Sequence, residues 1–91
     1  MKAYVVKRGT HNSEAFDPLK LHASILAACR TVQAFEGEAQ TAAERVCRDV
    51  IDWLEEKTEV TSEDIRRVAS SQLATYHPDA AYMYEQHRMI I

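Results

Sequence analysis

The sequence predicts an α+β fold, a four-helix bundle capped at one end by a short N-terminal β-hairpin or three-stranded sheet. The first β-prone run, Tyr4-Val5-Val6, is followed at residues 9–13 by the densest turn composition of the chain. From Asp17 onward, apolar residues recur every three or four positions, as in helices with one buried face. With 91 residues, 46% of them hydrophobic, the chain predicts a single domain over residues 1–91.

The return strand of the hairpin and the first helix follow the turn. Glu14-Ala15-Phe16 is short enough to be that strand. Asp17 and Pro18 then favour a helix start, because aspartate is a good N-cap and proline loses nothing at the first helical position. The helix should end near residues 33–37, and its predicted buried face contains Leu21, Ile25, Ala28 and Val32.

A second helix is predicted from about Ala39 to Lys57, with Trp53 as the largest core side chain. Its inner face is predicted to contain Ala43, Val46, Val50, Trp53 and Leu54. Residues 58–60 are β-prone and could add a third strand. Thr61 and the acidic residues after it predict the cap of a third helix, which ends near residues 75–77. Pro78 opens a fourth, over about Asp79 to Met89.

Charge and hydropathy argue against nucleic acid binding, membrane association and secretion. The formal net charge is −3, so no general excess of Lys and Arg favours nucleic acid or an anionic membrane. The first residues lack the apolar region of a signal peptide, and no stretch approaches the roughly 18 apolar residues of a membrane span. We therefore expect a soluble cytoplasmic protein with no membrane contact and no direct nucleic acid binding.

Catalytic and metal-binding motifs are not found in the sequence. Cys29 and Cys47 are too few for a disulfide framework or a four-thiolate zinc site, and we expect free thiols on inner helix faces. There is no glycine-rich phosphate loop of the Walker kind, and no nucleophile and base stand at a spacing that brings them together. We expect no enzyme activity, nucleotide hydrolysis included.

Three basic residues suggest a local anion site. Lys7 and Arg8 lie against the hairpin turn, and Lys20 stands in the first turn of the first helix. A helix start presents free N–H groups and a positive dipole end, so cations beside it favour an anion there. From the spacing alone, a solvated basic patch explains the same residues equally well.

Several short motifs occur in the order and at the separations of a known family. They are Val5-Val6-Lys7-Arg8, then Glu14, Phe16-Asp17 and Lys20-Leu21, then Ser24-Ile25 and Ala28, then residues 60–65 with Val68, and finally Ala81, Tyr84, His87 and Arg88. In these motifs the chain resembles the ATP-cone family over residues 5–88. Such domains occur at the N-terminus of ribonucleotide reductase catalytic subunits and in the repressor of the reductase operons.

The resemblance implies a nucleotide site between the hairpin and the helix starts. Val5 and Leu21 would contact the adenine ring, and Glu14 and Asp17 would accept hydrogen bonds from its polar edge or from the ribose. The expected role of Asp17 as an N-cap is an alternative that can coexist with this one.

Phosphate binding is implied for residues from several predicted elements. The resemblance places Lys7, Arg8 and Lys20 on the phosphates, joined by Thr61 or Ser62, by Arg66 and by Arg88 from the last helix. For Arg66, a solvent-facing helix charge is an equally good interpretation. The ligand would be ATP or dATP, with Mg²⁺ held through the phosphates rather than by a cage of protein ligands.

The implied role is allosteric regulation in trans, since no reductase barrel and no zinc ribbon accompany these motifs. Nucleotide-dependent association with a ribonucleotide reductase subunit, or with another copy of this chain, would carry the signal. Alternatives are a transcriptional co-regulator without its own zinc ribbon and a helical interaction module whose site has decayed. Two departures from the family are a hairpin turn that is one residue longer, at residues 9–13, and His87, where an aromatic residue is usual.

Overall fold

The structure, a computed structural model, describes residues 4–6 and 13–87, with side chains over residues 15–86. The elements in chain order are β1 (Tyr4–Val6), β2 (Ser13–Ala15), α1 (Pro18–Thr31), α2 (Glu36–Leu54), β3 (Glu59–Thr61), α3 (Ser62–Tyr76) and α4 (Pro78–His87). The four predicted helices are therefore present. Most residues of the predicted hairpin turn lie outside the described residues, as does the predicted end of the fourth helix at Met89.

The helices pack in a ring around one core. Each helix packs against the next in sequence, and α4 returns to pack against α1. The inward faces carry the apolar residues that the helical spacing predicts, including Leu21 and Ile25 of α1, Val46 of α2, and Ile65 of α3. In this ring α1 and α3 lie on opposite sides, as do α2 and α4.

The strands are short and pair in the order β2-β1-β3. β1 is antiparallel to β2, with Val5 opposite Glu14, and parallel to β3, with Val5 opposite Val60. Because β2 leads into α1 and β3 leads into α3, the central strand β1 lies between the strands that precede these two helix starts.

The predicted α+β class, with a sheet capping the bundle, is wrong. Each strand has three residues, whereas the helices have 14, 19, 15 and 10. Within the described residues, α3, which follows β3 directly, is the helix that the strands contact most extensively. A three-residue strand offers at most two side chains to one face, too little apolar area for a second layer. The fold is mainly helical.

Two helix starts are fixed by side-chain caps. The Asp17 carboxylate accepts a hydrogen bond from Leu19 N at 2.9 Å, which confirms the predicted cap of α1. At α3, Thr61 Oγ1 accepts from Asp64 N at 3.0 Å while Thr61 N donates to Asp64 Oδ2 at 3.1 Å. This reciprocal pair is a capping box, and it confirms the start of α3 predicted at Thr61.

The start of α2 was predicted three residues too late. The helix begins at Glu36, and no side chain caps it. Glu36 and Glu38 in its first turn favour the positive end of the helix dipole, and Arg30 Nη2 of α1 lies 2.6 Å from Glu36 Oε1. The turn between α1 and α2 places Gln33 in the left-handed region at φ 57°.

The largest fully buried side chain is Tyr84, not Trp53 as predicted. Trp53 is half-buried at the edge of the core, where Lys57 Nζ lies 5.1 Å from its ring centroid. Both cysteines are free and buried, as predicted, and burial raises the pKa of the Cys47 thiol to about 11.

Candidate functional site

Of the predicted site residues, those of the hairpin and the C-terminus are covered least completely by the structure. Lys7, Arg8 and Arg88 lie outside the described residues, and only the backbone of Val5 and Glu14 is described. Their register places Val5 directly opposite Glu14, in adjacent strands. The two positions predicted to contact the base are therefore neighbours in the sheet.

The sheet register also relates the basic pair to the start of α3. Val6, the last residue of β1, is paired with Thr61, the last residue of β3 and the N-cap of α3. The last described residue before Lys7 is therefore paired with the residue that caps α3. Such a start holds N–H groups that no residue of its own helix can accept, and these favour an anion.

At the start of α1, two of the predicted nucleotide-binding residues are accessible to a ligand and a third is buried. Asp17 and Lys20 are exposed, so both are open to a ligand. The Asp17 side chain already accepts from Leu19 N, but a carboxylate has capacity for further hydrogen bonds. Leu21 is fully buried in the core and presents no surface to a ligand in this arrangement.

At the start of α3, Thr61 is committed to the capping box and Ser62 is half-buried. Two hydrogen bonds with Thr61, one through its backbone N–H and one through its side chain, hold the pKa of the Asp64 carboxyl below its usual range. The capping box thus adds a negative charge to the first turn, and a bound phosphate would have to be balanced by nearby cations.

Arg66 is the first basic residue along α3. Its Nη1 lies 2.7 Å from Glu63 Oε1, and its side chain is only 15% exposed. Its Nε is buried and has no hydrogen-bond partner among the described residues. Arg66 lines a cleft of about 270 Å³ with Glu63, Arg67 and Glu85. The Arg66 side chain is therefore largely shielded from solvent, and its contact with phosphate stays a prediction.

The two sets of candidates stand on different helix starts. Asp17 and Lys20 belong to α1, whereas Thr61, Ser62 and Arg66 belong to β3 and α3, across the ring. Among the described side chains, no hydrogen bond or ion pair joins the two sets. The short sheet is the element that lies between them, with β1 at its centre.

A larger depression lies at the helix ends away from the sheet, and no sequence motif marked it. This distal groove has a volume of about 810 Å³ and runs between the N-terminal half of α2 and the C-terminal end of α3. Phe35, Glu38, Thr41, Ala42, Arg45 and Tyr76 are among its lining residues. Its two walls come from positions 30 or more residues apart in the sequence, which local spacing cannot connect.

Over residues 4–6 and 13–87, there is no group of three or more His, Cys, Asp or Glu residues that could hold a metal ion. Over the same ranges, no helix has the length and apolar character needed to cross a membrane.

Comparison with known proteins shows the family of the chain. Residues 3–89, nearly the whole chain, match the family model described as "ATP cone domain". Neither the curated proteins nor the solved structures contain a match to the chain.

Proposed function

We propose, because the chain belongs to the ATP-cone family, that it senses adenine nucleotides and changes its association with a partner according to the nucleotide bound. ATP cones are regulatory rather than catalytic domains and bind nucleotides such as ATP and dATP. The match over residues 3–89 is the observation that carries the proposal.

The base is proposed to lie over β1 toward the start of α1. Val5 is the central position of the central strand, Glu14 is its neighbour in β2, and Asp17 follows two residues after β2 ends. Carboxylates at these positions accept from the adenine amino group and disfavour a base that offers only a carbonyl there. Leu21 could contact the base only if α1 shifts, so base recognition is assigned chiefly to the two carboxylates.

The phosphates are proposed to lie toward the start of α3. Lys7 and Arg8 follow directly after the residue that pairs with Thr61, and Ser62 opens the helix. Arg66, one turn further, has a guanidinium N–H without a partner in the described part of the chain. In this proposal these groups would supply the cations and N–H donors that a triphosphate requires.

Two further cations and a metal ion complete the proposed phosphate site. Lys20 stands exposed in the first turn of α1, and Arg88 follows directly after the last described residue of α4. Mg²⁺ would be bound through phosphate oxygens and water, since it dehydrates reluctantly and needs no dedicated protein cage.

The proposed mechanism is a population shift. A nucleotide moves an equilibrium only by its difference in affinity for two arrangements, and ATP and dATP differ by one ribose hydroxyl. The starts of α1 and α3 lie on opposite sides of the ring, so a ligand that contacts both is sensitive to their relative position. A cytoplasmic ribonucleotide reductase subunit as the partner rests on family analogy.

The test is calorimetric titration of the purified protein with ATP, dATP and GTP in the presence of Mg²⁺. Light scattering on each endpoint reports the mass of the complex. We expect adenine-selective binding and a nucleotide-dependent change in association when the partner subunit is added. Equal binding of GTP would contradict the roles of Glu14 and Asp17, and no binding of any nucleotide would overturn the proposal.

A further inference from the structure

The Arg66 side chain lies in the cleft between α3 and α4 rather than extending into solvent. It is only 15% exposed, and its Nε is buried without a hydrogen-bond partner in the described part of the chain. Burial raises the pKa of the Tyr84 hydroxyl, and the hydrogen bond with Ser24 and the nearby Arg66 charge oppose that rise. The guanidinium is therefore close to a buried group of α4, in a position that leaves one of its donors unsatisfied.

An ion pair with Glu63 holds the guanidinium in this position. Glu63 Oε1 lies 2.7 Å from Arg66 Nη1, and the two residues are three positions apart on one face of α3. The pair engages one nitrogen of the guanidinium and leaves the buried Nε without an acceptor. Because a buried donor without a partner costs free energy, an acceptor that satisfies Nε as well as Nη1 would be a better partner than Glu63.

The cleft around this pair has no excess of positive charge. Its walls carry two acids and two bases, which are Glu63, Glu85, Arg66 and Arg67. Arg67 is itself engaged, since its Nη2 lies 3.2 Å from Asp64 Oδ1. A phosphate that enters the cleft therefore gains a net attraction only if Arg66 is released from its acid.

We propose that Glu63 occupies Arg66 in the free protein and that the phosphates of the nucleotide displace it. The inference rests on the proposed function and identifies a residue that sets the affinity of that site. When nucleotide binds, the guanidinium turns from Glu63 to the phosphates, and Nε gains an acceptor. Glu63 is thus a positioning residue, because it acts through Arg66 and is not itself in contact with the ligand.

A carboxylate at this position lowers the affinity for phosphate in two ways. Breaking its ion pair with Arg66 takes up part of the binding free energy, and its negative charge repels the incoming phosphates. The repulsion is the smaller effect, because Glu63 is exposed and water and salt screen its charge. The ion pair therefore moves the response of the site to higher nucleotide concentrations.

The experiment is calorimetric titration of the full chain with ATP and Mg²⁺, comparing wild type with Glu63→Gln. Glutamine keeps the length of the side chain and removes its charge. We expect Glu63→Gln to bind ATP about three- to tenfold more tightly than wild type. Urea unfolding of the same variant should show unchanged or lower stability, because an acid in the first turn of α3 is lost. A purely structural role of Glu63 would not raise affinity while stability falls.

A double-mutant cycle and a matched control test whether Glu63 acts through Arg66. In the Arg66→Ala protein, adding Glu63→Gln should tighten ATP binding by less than about twofold, since only the screened repulsion remains. Glu85→Gln makes the same change of charge in the same cleft. Glu85 is exposed and forms no ion pair with the described side chains, so this variant should also change ATP affinity by less than about twofold.

Three results would each overturn the inference while leaving the proposed function intact. In the first, wild type binds ATP and Glu63→Gln binds it no more tightly. In the second, Glu85→Gln tightens binding as much as Glu63→Gln does. In the third, the full gain from Glu63→Gln persists in the Arg66→Ala protein. A wild-type protein that binds no nucleotide would instead overturn the proposed function and this inference with it.

Discussion

Arg66 Nη1 lies 2.7 Å from Glu63 Oε1, while Nε of the same guanidinium is buried with no hydrogen-bond partner in the described part of the chain. A buried donor without a partner costs free energy that an acceptor could recover. A phosphate offers several acceptor oxygens to the planar guanidinium. An anion bound at Arg66 would therefore gain a hydrogen bond from Nε in addition to the attraction of the positive charge.

Arg66→Ala is therefore expected to lower ATP affinity by about 1.5–3 kcal/mol, the range for a hydrogen bond to a charged group. Arg67→Ala is the matched control, because Arg67 also pairs with an acid three residues before it but is 71% exposed. Calorimetric titration of both variants measures the difference. Equal losses for both would remove Arg66 from the site.

Lys20 and Lys57 provide a second matched pair. Lys20 is exposed in the first turn of α1, and Lys57 lies over the Trp53 ring after the end of α2. Lys20→Ala, like Lys7→Ala, should cost about 1.5–3 kcal/mol of nucleotide binding. Lys57→Ala should leave binding unchanged in the same titration, and a similar loss there would contradict the assignment.

Asp17 has a structural role as the N-cap of α1 and a proposed binding role, and two substitutions separate them. Asp17→Ala removes the bond from Leu19 N and should cost about 1 kcal/mol of stability as well as nucleotide affinity. Asp17→Ser keeps a capping oxygen but removes the carboxylate, so it should preserve stability and lose affinity. Urea unfolding and calorimetry together test this, and intact binding in the serine variant would assign Asp17 to capping alone.

Tyr84 should stabilise the core mainly through its ring. Ser24 Oγ donates to Leu21 O at 2.7 Å and lies 3.3 Å from the Tyr84 hydroxyl oxygen, so Ser24 keeps a partner without that hydroxyl. We expect a loss of about 1 kcal/mol of unfolding free energy for Tyr84→Phe. Tyr84→Ala should lose about 3–5 kcal/mol. Tyr82→Phe, at an exposed position, should change nothing in the same urea titrations.

The capping box predicts an acid-dependent loss of stability. Hydrogen bonds from Thr61 hold the pKa of Asp64 below its usual value, so its contribution is complete above the unfolded pKa of about 3.9. It is lost as pH falls through the lower folded value. The stability difference between wild type and Asp64→Asn should be constant from pH 5 to 7 and shrink below about pH 4.

Urea unfolding followed by circular dichroism at each pH measures that difference. Asp52→Asn, at an exposed position on α2 that makes no side-chain hydrogen bond with the described residues, should follow the wild-type profile. A difference for Asp64→Asn that is independent of pH throughout would mean that the carboxylate charge adds nothing to the cap.

The helices and their caps were predictable because their causes are local. Spacing of three and four residues predicts which faces are apolar, and Asp17 and Thr61 cap through bonds to N–H groups two or three residues away. The start of α2 was predicted too late because the features that fix it are not local ones. Its start has no side-chain cap, and the Arg30–Glu36 ion pair that joins it to α1 is not visible in helical periodicity.

The sequence by itself determined the four helices, two of their caps, the family and a set of candidate nucleotide-binding residues. Tertiary structure alone decided that the fold is mainly helical, that Tyr84 rather than Trp53 fills the core, that Leu21 is buried, and that a groove opens between α2 and α3. The physical reason is the separation along the chain of the residues that interact. Caps and periodicity depend on neighbours within one turn, whereas burial and concavity depend on which distant surfaces pack together.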